Sequence, residues 1–518
     1  MSGRDARSRR TLVVGMEMGD GRLIRRWCDE GRLPTLTKLL QDGRWSWLGT
    51  TADALHVSAW PSLYTGTNPG KHGVYYTFQP RSCLQGYSRF SPGIYGEPTF
   101  WQLLSRNGRR CIVFDAPYTE PEPGFAGIQV FDWGTWAQYL GTSSVPKDVV
   151  KSLQRNCGHY PLGLEAHDIG LVAWDADNME QRLTSAVEAK ARATVWMMKE
   201  YEWDLFFTVF GETHPAAHYC WPDDDRGEFD APQLLRIYQA LDSAIAKIVD
   251  AAGDDTSVFI VSGDGVGPNH SGWHLLPEVL EKLGYFVAGG STPDDEADAT
   301  PQKGRFDPVK ALRNLLPKDF RKALARKLPT ALRDKLAQRV DTADIDWSRT
   351  RAFCLPTDLE GYIRVNLRGR EPQGIVEPGE EYQTVCRDLA RNLRELKNPE
   401  TGEAAVREVI ITTDDLPGPH NDQLPDIVVC WSDAARISSL ESEAIGTVSG
   451  DSPDGRTGTH RPPGFILAKC GDGVSIDFPE EAHIFDFAPT LLDGFGIEKP
   501  SDMDGTAWPV RVSPEHRE

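Results

Sequence analysis

This sequence has no apolar run approaching the roughly 20 residues that a helix needs to cross a bilayer. Its basic N-terminus, MSGRDARSRR, leads only into TLVVGM. That run is too short for the apolar core of a secretory signal, and Glu17 and Asp20 follow at once. There is no Cys-x-x-Cys pair, and the nine cysteines are odd in number and dispersed. Their pattern fits reduced thiols and argues against a disulfide framework or a cysteine zinc site. Positive charge is in deficit: 56 Lys and Arg stand against 76 Asp and Glu, a formal net charge of −20. That argues against broad electrostatic binding to a nucleic-acid polymer, though a local basic pocket is compatible with it. Internal repeats and low-complexity tracts are also missing. The expectation from these absences is a cytoplasmic protein with no membrane span.

What is present suits an enzyme. The chain has 518 residues, enough to bury a large core and to form more than one domain. Hydrophobic residues make up 40% and charged residues 25%, with 15 tryptophans, which is a globular and not a disordered composition. Thr11–Met16, Cys111–Asp115, Leu205–Phe210, Val258–Ser262, Ile427–Cys430 and Phe465–Ala468 are short, continuous apolar runs. Their length and two-sided hydrophobicity predict buried parallel strands. Helical stretches lie between them. LPTLTKLLQDG and TFWQLLSRNG each close on glycine, and Ser185–Tyr201 and Gln233–Ala252 are longer amphipathic segments. This alternation predicts an α/β fold, a three-layer α/β/α sandwich around a mostly parallel central sheet. Asp307–Val340 breaks the pattern: it is helical, basic, cut by Pro317 and Pro329, and preceded by the acidic stretch Ser291–Gly304. It reads as a cap-like helical insertion over 291–352 that divides the core into 1–290 and 353–518. A solvated surface role comes first for it, ahead of a cover for the active site or a face for an anionic partner.

Residues of metal-ligand type sit where strands should end. Glu17 follows TLVVGM, and Asp264 follows SVFIVS. His214 and His218, in GETHPAAHYCW, are four apart and so share one helical face. His460 lies in the glycine-flanked stretch RTGTHRPPG, expected to be a loop, and His56 opens HVSAWPSLYTGTNPGKHG. In that last stretch Ser58 precedes a helix-forming run, a place where an oxyanion of phosphate or sulfate meets exposed backbone N–H groups. Six such residues converging at element ends suggest a metal site built by the sheet. Asn269, His270 and His274 follow Asp264 and are candidates to bind substrate oxygens, with helix capping as the other reading of His274. Lys71 is a candidate phosphate partner, with a surface role as its alternative. His72 is expected to support its loop, and Glu212 and Thr213 to orient an imidazole. Asp358 and Glu360, in LPTDLEGYIRVN, are of a suitable type to approach the cleft, and spacing does not decide whether they do.

Four stretches, in order, carry a resemblance: TLVVGMEMGD; AWPSLYTGTNPGKHGVYY; FFTVFGETHPAAHYCW with FIVSGDGVGPN; and GTHRPPGFILA with HIFDFAPTLLDGFGIEKPSDMDG. A further stretch, EGYIRVNLRGREPQGIVEPGEEY, is similar to the segment before the last metal ligand in the phosphohydrolase/phosphomutase group. The chain resembles the alkaline phosphatase superfamily, in its type I phosphodiesterase/nucleotide pyrophosphatase branch. The resemblance implies an alkaline phosphatase-like fold and metal-dependent hydrolysis of a small-molecule phosphate ester, a phosphodiester or nucleotide-like compound first. It also implies two divalent ions, zinc foremost. One ion takes an Asp and a His from a D-x-x-x-H turn plus a distal His. The other takes an early Asp, an Asp-His pair and a Ser or Thr nucleophile that becomes phosphorylated.

Carried over by position, the early Asp corresponds to Glu17, the D-x-x-x-H turn to His214 and His218, and the distal histidine to His460. The Asp-His pair corresponds to Gly263 and Asp264. The nucleophile position, nine before Thr65, is His56, and the nearest hydroxyl is Ser58. These departures suggest a three-histidine site, with Glu17, Asp264 and His56 around a second ion. Attack then falls to a metal-bound hydroxide, to Ser58, or to His56 through a phosphohistidine, in that order. Two rivals stay open: transfer chemistry or hydrolysis of an unusual ester in a biosynthetic pathway, and a binding protein with a degenerate site.

Overall fold

The computed structural model describes residues 10–512 except 77, 81–86, 90–97, 123, 135–140, 163–175, 223–228, 290–344, 356, 358, 453–454 and 472–473. The expected helical insertion therefore falls almost wholly outside the described residues, as does Asp358.

Five of the apolar runs become strands of an eight-stranded sheet. Its order is Arg44–Leu48, Gly464–Lys469, Ser257–Ser262, Thr11–Met16, Leu205–Phe210, Cys111–Phe114, Gly127–Phe131 and Ser143–Val145. The five strands from Ser257–Ser262 to Gly127–Phe131 run parallel. Every residue of Thr11–Met16 and Leu205–Phe210 is buried, because both faces are covered. Side chains alternate between two cores, as the twofold period of a strand requires. Leu12, Val14 and Met16 join Ile24, Trp27, Leu183, Ile237 and Leu241 on one face. Val13 joins Trp60, Leu63, Phe100, Leu104 and Phe487 on the other. This is the three-layer α/β/α arrangement. Each large apolar side chain buried this way contributes about 1.5–3 kcal/mol.

Two of the runs expected to be parallel are not. Gly464–Lys469 pairs antiparallel with both Ser257–Ser262 and Arg44–Leu48. Ile427–Trp431 lies antiparallel in a separate four-stranded sheet, ordered Ala352–Cys354, Gly361–Val365, Ile427–Trp431, Val406–Ile411. An apolar run reports burial on two faces and carries no information on direction. The stretch 353–518 thus supplies a second sheet before it rejoins the first. The helix Glu380–Arg394 covers one face of this second sheet through Val385, Leu389 and Leu393. Its other face, with Phe353, Tyr362, Val428 and Cys430, packs on Ala54, Leu55 and Tyr75. The segment between Leu55 and Tyr75 carries His56, so the second sheet lies directly over it.

That segment is shaped by two left-handed glycines. Gly66 ends the helix Ala59–Thr65 at φ 67°, its N–H bonded to Ser62 O, and Gly73 ends Pro69–His72 at φ 73°. A side chain there would meet the left-handed backbone penalty. Among the described residues no helix is long and apolar enough to cross a membrane.

Candidate active site

Three imidazoles meet where the parallel strands end. The strand Leu205–Phe210 leads through Gly211 and Glu212 into the helix Thr213–Tyr219. Thr213 ties that helix to the first strand by donating its hydroxyl to Glu17 O. His214 and His218 fall one turn apart on its buried face, with their Nε2 atoms 3.2 Å apart. The third comes from the strand Gly458–Arg461, which pairs antiparallel with Gly265–Pro268, His460 opposite Val266. His460 is therefore on a strand, not in the expected loop. One ligand atom from each of the three histidines lies within 4.8 Å of the others. Nitrogens held about 2.0–2.1 Å from a tetrahedral zinc are roughly 3.3 Å apart, so the His214–His218 separation suits a shared ion.

The remaining ring nitrogens are aimed by neighbours. His218 Nδ1 is 2.8 Å from Gly458 O, so it carries the proton and Nε2 is the nitrogen that could hold an ion. His460 Nδ1 faces Asp264 Oδ2. Asp264 Oδ1 accepts from Met18 N–H at 3.2 Å, which joins the ends of two adjacent strands. The acid thus supports the imidazole from behind. Burial, and then His218, His460 and His56, hold His214 well below the usual imidazole range, in the neutral form that binds cations.

Two carboxyls sit in the same buried region at high proton affinity. Burial raises Asp264 to about 7, against the opposing pull of His56. Burial, then repulsion from Asp264, raises Glu17 to about 8, while Lys190 pulls it down. Glu17 Oε2 has no hydrogen-bond partner among the described residues. A buried carboxyl oxygen in that condition holds a proton or attracts a cation. Behind it, Lys190 is completely buried, 2.9 Å from Asp115 Oδ2, and its ammonium lies over the rings of Phe114 and Phe210. Spacing does not single it out. The one signal in the sequence is its place on a helical stripe with Ala186, Val187, Ala193 and Met197, where a lysine must be paired.

His56 opens a 3-10 turn, His56–Ser58, in front of the helix Ala59–Thr65. Its ring stacks on His460 at 4.6 Å between centroids and 27° between planes. Its Nδ1 is 2.8 Å from Glu360 Oε2, a residue just before the second sheet's strand Gly361–Val365. Tyr362 O–H also reaches Glu360 Oε2, at 3.3 Å. Of the acids in LPTDLEGY, then, Glu360 joins the site. At Gly263 a Cβ would approach the Ala59 Cβ to 3.1 Å, so the start of that helix occupies space an acid would need.

The other candidates make their hydrogen bonds elsewhere. Ser58 is fully buried, its hydroxyl 2.5 Å from Leu55 O and 2.7 Å from Thr51 Oγ1, within its own loop. Asn269 uses Oδ1 for Ser271 and donates Nδ2–H to Arg456 O, and His270 Nδ1 contacts Asp433 O. His274 Nε2 contacts Gly450 O, and its side chain does not cap the helix Leu276–Lys282. Lys71 pairs with Asp504 and donates to Asp502 O, a clip on the C-terminal segment. Glu212 accepts from Tyr160 O–H at 2.9 Å.

Among solved structures, phosphonoacetate hydrolase from Sinorhizobium meliloti 1021 in complex with phosphonoacetate aligns with a TM-score of 0.52 and 13% identity, over 94% of this chain and 96% of that one. Its complex with phosphonoformate gives 0.51 and 13%, with the same coverage. At that identity the likeness establishes an alkaline phosphatase-like fold. No curated protein matches the sequence. The type I phosphodiesterase / nucleotide pyrophosphatase family matches residues 11–459, nearly the whole length, and the chain belongs to that family.

Proposed function

We propose that this protein is a metal-dependent hydrolase of a small-molecule phosphate ester, a phosphodiester or nucleotide-like compound first. The observation that carries the reading is the buried trio His214, His218 and His460, all three within ligand distance at the strand ends. A divalent ion held there, zinc foremost, would supply a Lewis acid and a water acidified toward neutral pH. His218 is oriented by Gly458 O, and His460 by Asp264. Glu360 Oε2 faces His56 Nδ1 and would orient this imidazole to pass a proton to a bound ester. The Ser58 hydroxyl is committed to Leu55 O, which favours water over Ser58 as the attacking group. The resemblance of the chain to phosphate-ester hydrolases supports the reaction class.

The test is turnover by metal-stripped protein, before and after reloading with zinc or manganese, on aryl phosphodiesters, phosphomonoesters and sulfates. Diesterase activity that appears with metal and vanishes in His214→Ala and His460→Ala is the expected result. A metal-loaded protein inert on all three classes overturns the reading.

A further inference from the structure

We propose that the centre holds one divalent ion where the superfamily uses two. This rests on the reading that the histidine trio binds metal, and it goes beyond it in the number of ions.

Among the described residues, His214, His218 and His460 form the one group of three or more His, Cys, Asp or Glu whose ligand atoms all lie within 4.8 Å of one another. Glu17, His56 and Asp264, the set expected around the second ion, do not gather in this way. Each has another engagement or too few companions. Asp264 spends Oδ2 on His460 Nδ1 and Oδ1 on Met18 N–H. An acid so placed serves the imidazole of the first ion, as outer carboxylates do in histidine–metal sites. His56 gives Nδ1 to Glu360, and its ring lies against His460. Position 263 offers no donor, and a Cβ there would press on the Ala59 Cβ at 3.1 Å. That leaves the Oε2 of Glu17, a single unpartnered carboxyl oxygen, which does not make a site by itself.

The charge balance points the same way. A second dication would also meet a cation already buried near this region. Lys190 is fully buried and ion-paired with Asp115, and it attracts both Glu17 and Glu212. A second metal ion beside Glu17 would feel the repulsion of that buried ammonium, whose field reaches Glu17.

The decisive measurement is ions per chain on the full-length protein. Metal-stripped protein is titrated with zinc by calorimetry, and the dialysed product is assayed by elemental analysis. The expected result is saturation at one equivalent. Manganese-loaded protein should give the six-line EPR spectrum of an isolated ion. Glu17→Gln should keep one equivalent, and Asp264→Asn should keep one equivalent bound about 10–100-fold more weakly. Two equivalents in the unaltered protein, an exchange-coupled manganese spectrum, or no tight ion at all overturns the proposal. Should a variant fail to fold, the ion count of the unaltered protein is sufficient by itself. Binding of one ion without turnover of any ester would remove the hydrolase reading and leave this one standing, and an active two-ion protein would do the reverse.

Discussion

Asp264 Oδ2 and His460 Nδ1 face each other between the end of one sheet strand and a strand from the far end of the chain. On the proposed metal reading, this contact would set which nitrogen of His460 carries the proton, and so metal affinity, without touching the ion. Asp264→Ala should therefore weaken zinc binding about 10–100-fold. Competition against a chromogenic chelator reads this directly. An unchanged affinity would show that the contact does not act on the ligand.

Glu360 and His56 should behave as a unit. Removing either, as Glu360→Gln or His56→Ala, should lower kcat by about 10²-fold or more if the pair handles a proton. The double variant should be little worse than the worse single one, because the second change removes a group already disabled. Metal content should stay the same in all three. Additive losses would mean that the two residues act separately.

Lys190 is the buried charge whose loss should harm the fold most. Lys190→Met leaves Asp115 buried without its cation, a change worth about 3–5 kcal/mol. Denaturant unfolding measures it, and adding Asp115→Asn should recover part of the loss. Recovery will be incomplete, since Asp115 also accepts from the N–H groups of Trp133 and Gly134.

His72 supplies a pH dependence of known sign. Its Nδ1 accepts from Val74 N–H, so Nε2–H donates to Ser62 Oγ, and burial lowers its pKa from 6.5 to about 3. The folded form stays neutral while the unfolded chain takes up a proton below about 6.5. Stability from this group is whole above that point and falls as pH drops toward 3. His72→Asn should shrink the difference in denaturation midpoint between about pH 7 and pH 5. An unaltered difference would assign the acid sensitivity elsewhere.

Gly263→Asp puts back the acid that the family carries at this position. The contact of its Cβ with Ala59 should make the change destabilising by about 1–3 kcal/mol. Ala59→Gly in the same chain should relieve part of it, read by thermal unfolding. A neutral effect of the single change would show that the helix yields freely.

Much of this centre was legible in the sequence, and the reasons are local. TLVVGM before Glu17 and SVFIVS before Asp264 announce buried strands, and a buried strand puts its next residue at the sheet's edge. The four-residue spacing of His214 and His218 fixes their common face. What local pattern does not encode is pairing across the chain. The direction of Ile427–Trp431 and Gly464–Lys469 depends on their partner strands. The link from Glu360 to His56 exists because the second sheet packs on Ala54, Leu55 and Tyr75. The sequence marks Asp264 as an acid at a strand end, and its meeting with His460 appears only in the folded chain.

The carbonyl of Gly458 that aims His218, and the imidazole of His460 two residues later, arrive late in synthesis. A nascent chain halted before Gly458 would present both helix histidines with neither their guide nor their third member. On the proposed reading, a three-histidine ion site would be complete only once the sheet strands, the second sheet and the strand Gly458–Arg461 have all emerged.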